Sequence, residues 1–100
     1  MAKEITDVNF EEIVSSGSPV VVDFWAPWCG PCRMLGPVLE EVAASHPEIV
    51  IGKVNVDDNE ELARRFNCQS IPMVLLFENG EFKKQFIGYN SASFIEEFIK

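Results

Sequence analysis

The chain has 100 residues, one domain's worth, and 47% of them are hydrophobic, enough for a core with little stability to spare. Lysine and arginine number 8 against 16 for aspartate and glutamate, a net charge of −8. That balance argues against nucleic acid as a partner, because a phosphate backbone needs clustered positive charge, and it gives no sign of a membrane surface. No run approaches ~18 continuous apolar residues and the N-terminus lacks a signal-peptide core, so a soluble, cytoplasmic, monomeric protein of one domain, residues 1–100, is expected.

In chain order, residues 2–5 read as a short edge strand. Asn9 followed by Glu12 marks a helix start, with Phe10, Ile13 and Val14 on one apolar face. Residues 15–19 break the chain. Val20-Val21-Val22-Asp23-Phe24-Trp25 is nearly all apolar and rich in β-branched residues, which suits a strand buried on both faces. A second helix is expected from about Cys29 to Ala44, with Leu35, Val38, Leu39 and Val42 at helical spacing and a kink at Pro37.

Residues 49–51 and 54–56 give a third strand, and residues 59–66 a third helix. Residues 73–77 and 81–87 flank Asn79-Gly80, a strong signal for an antiparallel hairpin. Ser91 caps a last helix whose Phe94, Ile95 and Phe98 are expected to face inward. The order βαβαβαββα predicts an α/β fold, a central mixed sheet with helices on both faces.

The chemistry concentrates at Cys29-Gly30-Pro31-Cys32. Cysteines three apart at a helix start are neighbours on one turn, close enough to bridge. Pro31 suits the first turn, where its missing N–H costs nothing. Cys29 then sits beside unpaired N–H groups and the positive end of the helix dipole, which favour a thiolate. Gly30 and Pro31 carry no charge, so the reduced pair gains less stabilisation than it would beside a histidine and is the better reductant. Spacing alone leaves a zinc site open, with Cys68 and His46 as the nominal further ligands. Zinc sites usually bring a second closely spaced pair, and these two are scattered, so no metal is expected.

The octapeptide Trp25-Ala26-Pro27-Trp28-Cys29-Gly30-Pro31-Cys32 resembles the active-site signature of the thioredoxins. The likeness extends over essentially the whole chain, through Val22-Asp23-Phe24, Pro37, Lys53-Val54-Asn55-Val56-Asp57, Ile71-Pro72, Asn79-Gly80 and Gly88. The resemblance implies the thioredoxin fold and a protein-disulfide reductase without a bound cofactor, fed by a thioredoxin reductase and acting on disulfide-containing proteins. It implies that Cys29 is the exposed nucleophile and that the deeper Cys32 resolves the mixed disulfide. Asp23 corresponds to a buried carboxylate that helps deprotonate Cys32, and Lys53 to the lysine beside it. Pro72 corresponds to a cis-proline opposite the cysteines. The Ile71 backbone would pair with substrate as an added strand, while Trp28 and Gly88 line the same groove.

Two other readings use the same residues: a redox-dependent binding module without turnover, and an isomerase or oxidase, which Pro31 disfavours. Cys68 is expected to be a small buried apolar residue, and His46 a solvated residue at a helix end. Asp57 to Glu61 reads as a loop and helix start. Met73 departs from the threonine the family usually has after the proline, and is expected to alter partner fit and the packing of Pro72.

Overall fold

Val20 to Trp25 sets the centre of the molecule, because a strand apolar on both faces must be covered on both. The structure, a computed structural model, describes residues 2–100. Among them the elements run β1 (Lys3–Glu4), α1 (Phe10–Val14), β2 (Val20–Trp25), α2 (Gly30–Ser45), β3 (Val50–Asn55), α3 (Glu60–Arg65), β4 (Met73–Glu78), β5 (Glu81–Ile87) and α4 (Ala92–Phe98). The sheet order is β1-β3-β2-β4-β5. β1 and β2 flank β3 in parallel, while β2 with β4 and β4 with β5 pair antiparallel.

Alternation along β2 divides the core into two layers. Val20, Val22 and Phe24 face α1 and α3, packing with Phe10, Val14, Val54, Leu62 and Leu75. Phe10, Phe66 and Phe77 meet there in tilted or edge-on pairs with centroids 5.4 to 5.7 Å apart, each pair contributing about 0.5–1.5 kcal/mol beyond its buried area. Val21 faces α2 and α4 on the other side, with Leu35, Leu39, Ile51, Leu76, Ile95 and Phe98.

The hairpin forms as expected: Asn79 and Gly80 both have positive φ, 55° and 80°, the geometry a two-residue turn requires. Ser91 caps α4, its side-chain oxygen accepting from the Phe94 N–H at 3.2 Å.

Residues 49–51 and 54–56 give one strand, as expected: β3 runs through Gly52, which pairs with Lys3 of the edge strand and leaves the space that the Ile5 side chain fills. Three expectations need correction. Phe94 does not face inward; it is 43% exposed and only its ring reaches Phe86, edge-on at 5.3 Å. His46 is not simply solvated. As C-cap of α2 it holds Glu96 of α4 at 2.6 Å through Nε2, with Glu48 3.5 Å from Nδ1. Met73 is 2% exposed and packs into the α1/α3 layer, because alternation along β4 sends residues 73, 75 and 77 to that face. It therefore offers no side chain to a partner.

α2 runs unbroken through Pro37. Pro37 has no N–H to offer the Arg33 carbonyl one turn earlier.

Candidate active site

β2 ends at Trp25, and the chain turns at Ala26 so that the Cys29 N–H donates to the Ala26 carbonyl at 3.1 Å. Cys29 is the N-cap of α2, extended at φ −92° and ψ 111°, with Pro31 in the first turn. Its Sγ accepts the Cys32 N–H at 3.2 Å, so a sulfur takes the role a serine or aspartate oxygen plays at other helix starts. Cys29 and Cys32 form a disulfide with their Cα atoms 5.3 Å apart. Among the described residues Cys68 is the free cysteine.

Both sulfur residues are nearly covered, Cys29 at 5% and Cys32 at 1% exposure, packed with Ala26 and against Trp25, Val56 and Ile71. Cys29 is the more accessible of the two, but it is not an exposed residue in this disulfide form. The loop before β4 closes the other side. The Ile71–Pro72 peptide is cis, and the Ile71 carbonyl oxygen lies 3.8 Å from Cys29 Sγ. The Gly88 N–H donates to the Pro72 carbonyl at 2.8 Å, and Gly88 has φ +92°, a conformation glycine adopts without the cost of a Cβ.

Trp28 is 69% exposed beside the pair, and its indole N–H donates to Asp57 Oδ2 at 3.0 Å. Reading residues 57–61 as a loop missed that acceptor role, and nothing in the sequence separates Asp57 from Asp58. The structure thus brings Cys29, Cys32, Ile71, Pro72, Gly88 and Trp28 to one end of the sheet.

Asp23 and Lys53 lie on the α2 side of the same sheet. They are register partners on β2 and β3, on the face of Val21 and Ile51. Asp23 is fully buried, and neither carboxylate oxygen has a hydrogen-bond partner. Burial pushes its pKa up to about 7, while the charge of Lys53 pulls in the opposite direction. The Lys53 ammonium rests over the Trp25 ring, 4.5 Å from its centroid, as a cation–π contact.

The zinc alternative fails on distance. His46 stands at the far end of α2 from the cysteine pair, roughly 24 Å away for a helix of 16 residues. Cys68 is partly buried with its Sγ 3.8 Å from the Ser70 carbonyl, and burial raises its thiol pKa, which makes it a poor nucleophile at neutral pH.

A vicinal dithiol that closes to a disulfide at a helix start, within reach of an open loop carbonyl, exchanges electron pairs with other sulfurs. Fold and pair together define a thiol–disulfide oxidoreductase. The thioredoxin family model matches residues 1–100. A thioredoxin of Alicyclobacillus acidocaldarius is 47% identical over 93 residues, covering 92% of this chain and 89% of that one. A bifunctional thioredoxin reductase/thioredoxin of Mycobacterium leprae is 47% identical over 87 residues, 85% of this chain and 19% of that longer protein. The solved structure of Plasmodium falciparum thioredoxin superposes with a TM-score of 0.90 at 33% identity, covering 98% of this chain and 96% of that one. The chain belongs to the thioredoxin family.

Proposed function

We propose that this protein reduces disulfide bonds in other proteins by an ordered exchange, Cys29 first and Cys32 second. The Cys29 thiolate attacks one sulfur of the substrate disulfide, forming a mixed disulfide and releasing the first substrate thiolate. Cys32 gives its proton to Asp23, and its thiolate attacks Cys29 Sγ. That step breaks the mixed disulfide, releases the second substrate thiolate and forms the Cys29–Cys32 disulfide. The substrate gains two electrons and the pair loses two. The two thiol protons finish on the released substrate thiolates, by way of Asp23 and solvent.

The observation that carries this reading is the position of Cys29 Sγ, capped by the Cys32 N–H and 3.8 Å from the Ile71 carbonyl. Its order of exposure relative to Cys32 supports the order of attack. An extended substrate segment pairs with the Ile71 backbone as an added strand, between Trp28, Pro72 and Gly88. The uncharged Gly30-Pro31 leaves the pair a reductant rather than an oxidant. The electrons reside on the cysteines, so no bound cofactor is needed, and a separate thioredoxin reductase of the same cytoplasmic compartment restores the dithiol.

The test is trapping. Cys32→Ser accumulates substrates as mixed disulfides through Cys29, and Cys29→Ser accumulates none. Equal trapping by both variants overturns the order of attack. Catalysed reduction of a protein disulfide by dithiothreitol is lost in Cys29→Ser. Activity retained there overturns Cys29 as the nucleophile, whereas no catalysis by the wild type, with partner binding that survives replacing both cysteines by serine, sinks the reductase reading in favour of a docking role.

A further inference from the structure

A cavity of about 370 Å3 opens beside the dithiol on the α2 side of the sheet, and Cys32, Arg33, Gly36, Glu40 and Lys53 are among the residues lining it. Cys32 and Gly36 stand one turn apart on the same face of α2, so that face presents a sulfur and then a gap. A Cβ on Gly36 would lie 3.4 Å from the Lys53 ammonium nitrogen. Lys53 is in turn the register partner of Asp23, whose carboxyl is sealed from solvent. Cys32 and Lys53, the two groups that the proposed proton transfer links to that carboxyl, both line the cavity.

We propose that Gly36 is a positioning residue for proton exchange at Asp23 and Cys32, its missing side chain keeping the Lys53 ammonium seated and the cavity beside Cys32 open. The inference rests on the role of Asp23 given under the proposed function. An alanine methyl would make ordinary contact with the ammonium and fit. A branched side chain would fill the opening or push Lys53 away. The charged groups on this side are Lys53 of β3, its register partner Glu4 of β1, Arg33 and Glu40 of α2, and, over the Phe98 ring, Lys84 of β5. β4 presents Val74 and Leu76, and α4 presents Ile95 and Phe98, all apolar. Of these charges, Lys53 is the one that holds the Asp23 carboxyl down against burial. Displacing it favours the neutral acid, which cannot accept the Cys32 proton.

The experiment is single-turnover reduction of insulin by the pre-reduced protein, followed from about pH 5.5 to about pH 9. Gly36→Ala keeps the wild-type midpoint. Gly36→Leu moves the midpoint up by about half a unit or more and slows the reaction at neutral pH about threefold. In a Lys53→Met background Gly36→Leu adds no further shift, because the residue it acts through is gone. Gly36→Val carries the same expectation should the leucine variant not fold.

A folded Gly36→Leu or Gly36→Val protein with the wild-type midpoint overturns the proposal. So does a uniform loss of rate at every pH, which marks a structural effect. Asp23→Asn separates the two levels. If it keeps the wild-type pH profile, the Asp23 reading falls and Gly36 with it. If it flattens the profile while the Gly36 variants leave the midpoint unmoved, the Gly36 inference alone falls.

Discussion

Asp23 and Lys53 are register partners on neighbouring parallel strands, so a sealed carboxyl and an ammonium share the α2 side of one sheet. The two are not equivalent in their surroundings. Lys53 reaches a cavity and an aromatic face, while Asp23 reaches neither solvent nor a hydrogen-bond donor. A sealed carboxyl without a hydrogen-bond donor costs stability, and groups perturbed in this way are concentrated at functional sites.

That cost has a definite pH dependence. Burial holds Asp23 at about 7 in the folded protein, against an ordinary value of 3.8. Between these values the folded state binds more protons than the unfolded chain, so stability falls as pH rises. The carboxyl is at its least costly below the unfolded value, and its full cost is reached once pH passes the folded one. Asp23→Asn removes the dependence. Its pH-dependent gain in stability is about 1.5 kcal/mol near pH 5 and about 4 kcal/mol near pH 8. Urea denaturation at both pH values checks this, and an equal gain at the two would contradict a raised carboxyl.

His46 adds a second dependence of the same sign in a different window. Its pKa is raised above 6.5, first by the Glu96 hydrogen bond and then by the charges of Glu96 and Glu48, with burial opposing. The tether between the end of α2 and α4 is therefore complete below about pH 6.5 and is lost as pH climbs through the raised value. In an Asp23→Asn background, His46→Gln is expected to lower the melting temperature more near pH 6 than near pH 9. Equal lowering at both would mean that the imidazole acts without its charge.

Met73 carries a prediction that the family pattern alone would have reversed. Since its side chain is buried with Phe24 and Leu75 rather than lining the groove, Met73→Thr leaves a void and a hydroxyl among apolar neighbours. We expect a loss of about 2 kcal/mol in chemical denaturation, with KM for a protein disulfide changed less than about twofold. A large change in KM with unaltered stability would return Met73 to the groove.

What the sequence made legible follows from how local each signal is. The period and β-branching of Val20 to Trp25, the Asn79-Gly80 turn and the Ser91 cap are decided within a few residues, and each matches the structure. The cysteine pair was legible from spacing, but Asp23, Lys53, Ile71 and Gly88 entered through a family resemblance, because their meeting depends on strand order. The fit of Ile5 into the space at Gly52 joins two distant parts of the chain, and neither local pattern points to it. His46 and Glu96 are 50 residues apart, and no periodicity within α2 points to the partner. The acceptor role of Asp57 and the gap at Gly36 were illegible for the same reason: each is defined by what packs opposite.

The start of α3 is a further case, and it can be tested cleanly. Asn59 occupies the N-cap position, yet its side chain makes no cap bond; it accepts the Asp7 N–H at 3.0 Å and donates to the Asn55 carbonyl at 3.0 Å. The cap comes from Asp7, 55 residues earlier, whose Oδ1 accepts the Leu62 N–H at 2.9 Å. Leu62 is buried in the α1/α3 layer, so a frayed first turn would loosen a core residue as well as expose backbone. Asp7→Ala is expected to cost about 1–2 kcal/mol, and Asp7→Asn, which keeps an acceptor in place, less than about half of that. Trp28 should be insulated from the change, since Asp57 is held independently by the Asn55 side chain at 3.0 Å. Disulfide reduction at saturating substrate is therefore expected to stay within about twofold of wild type while the denaturation midpoint falls. Asp7→Ala stability equal to wild type would mean that water caps α3 as well as the carboxylate does.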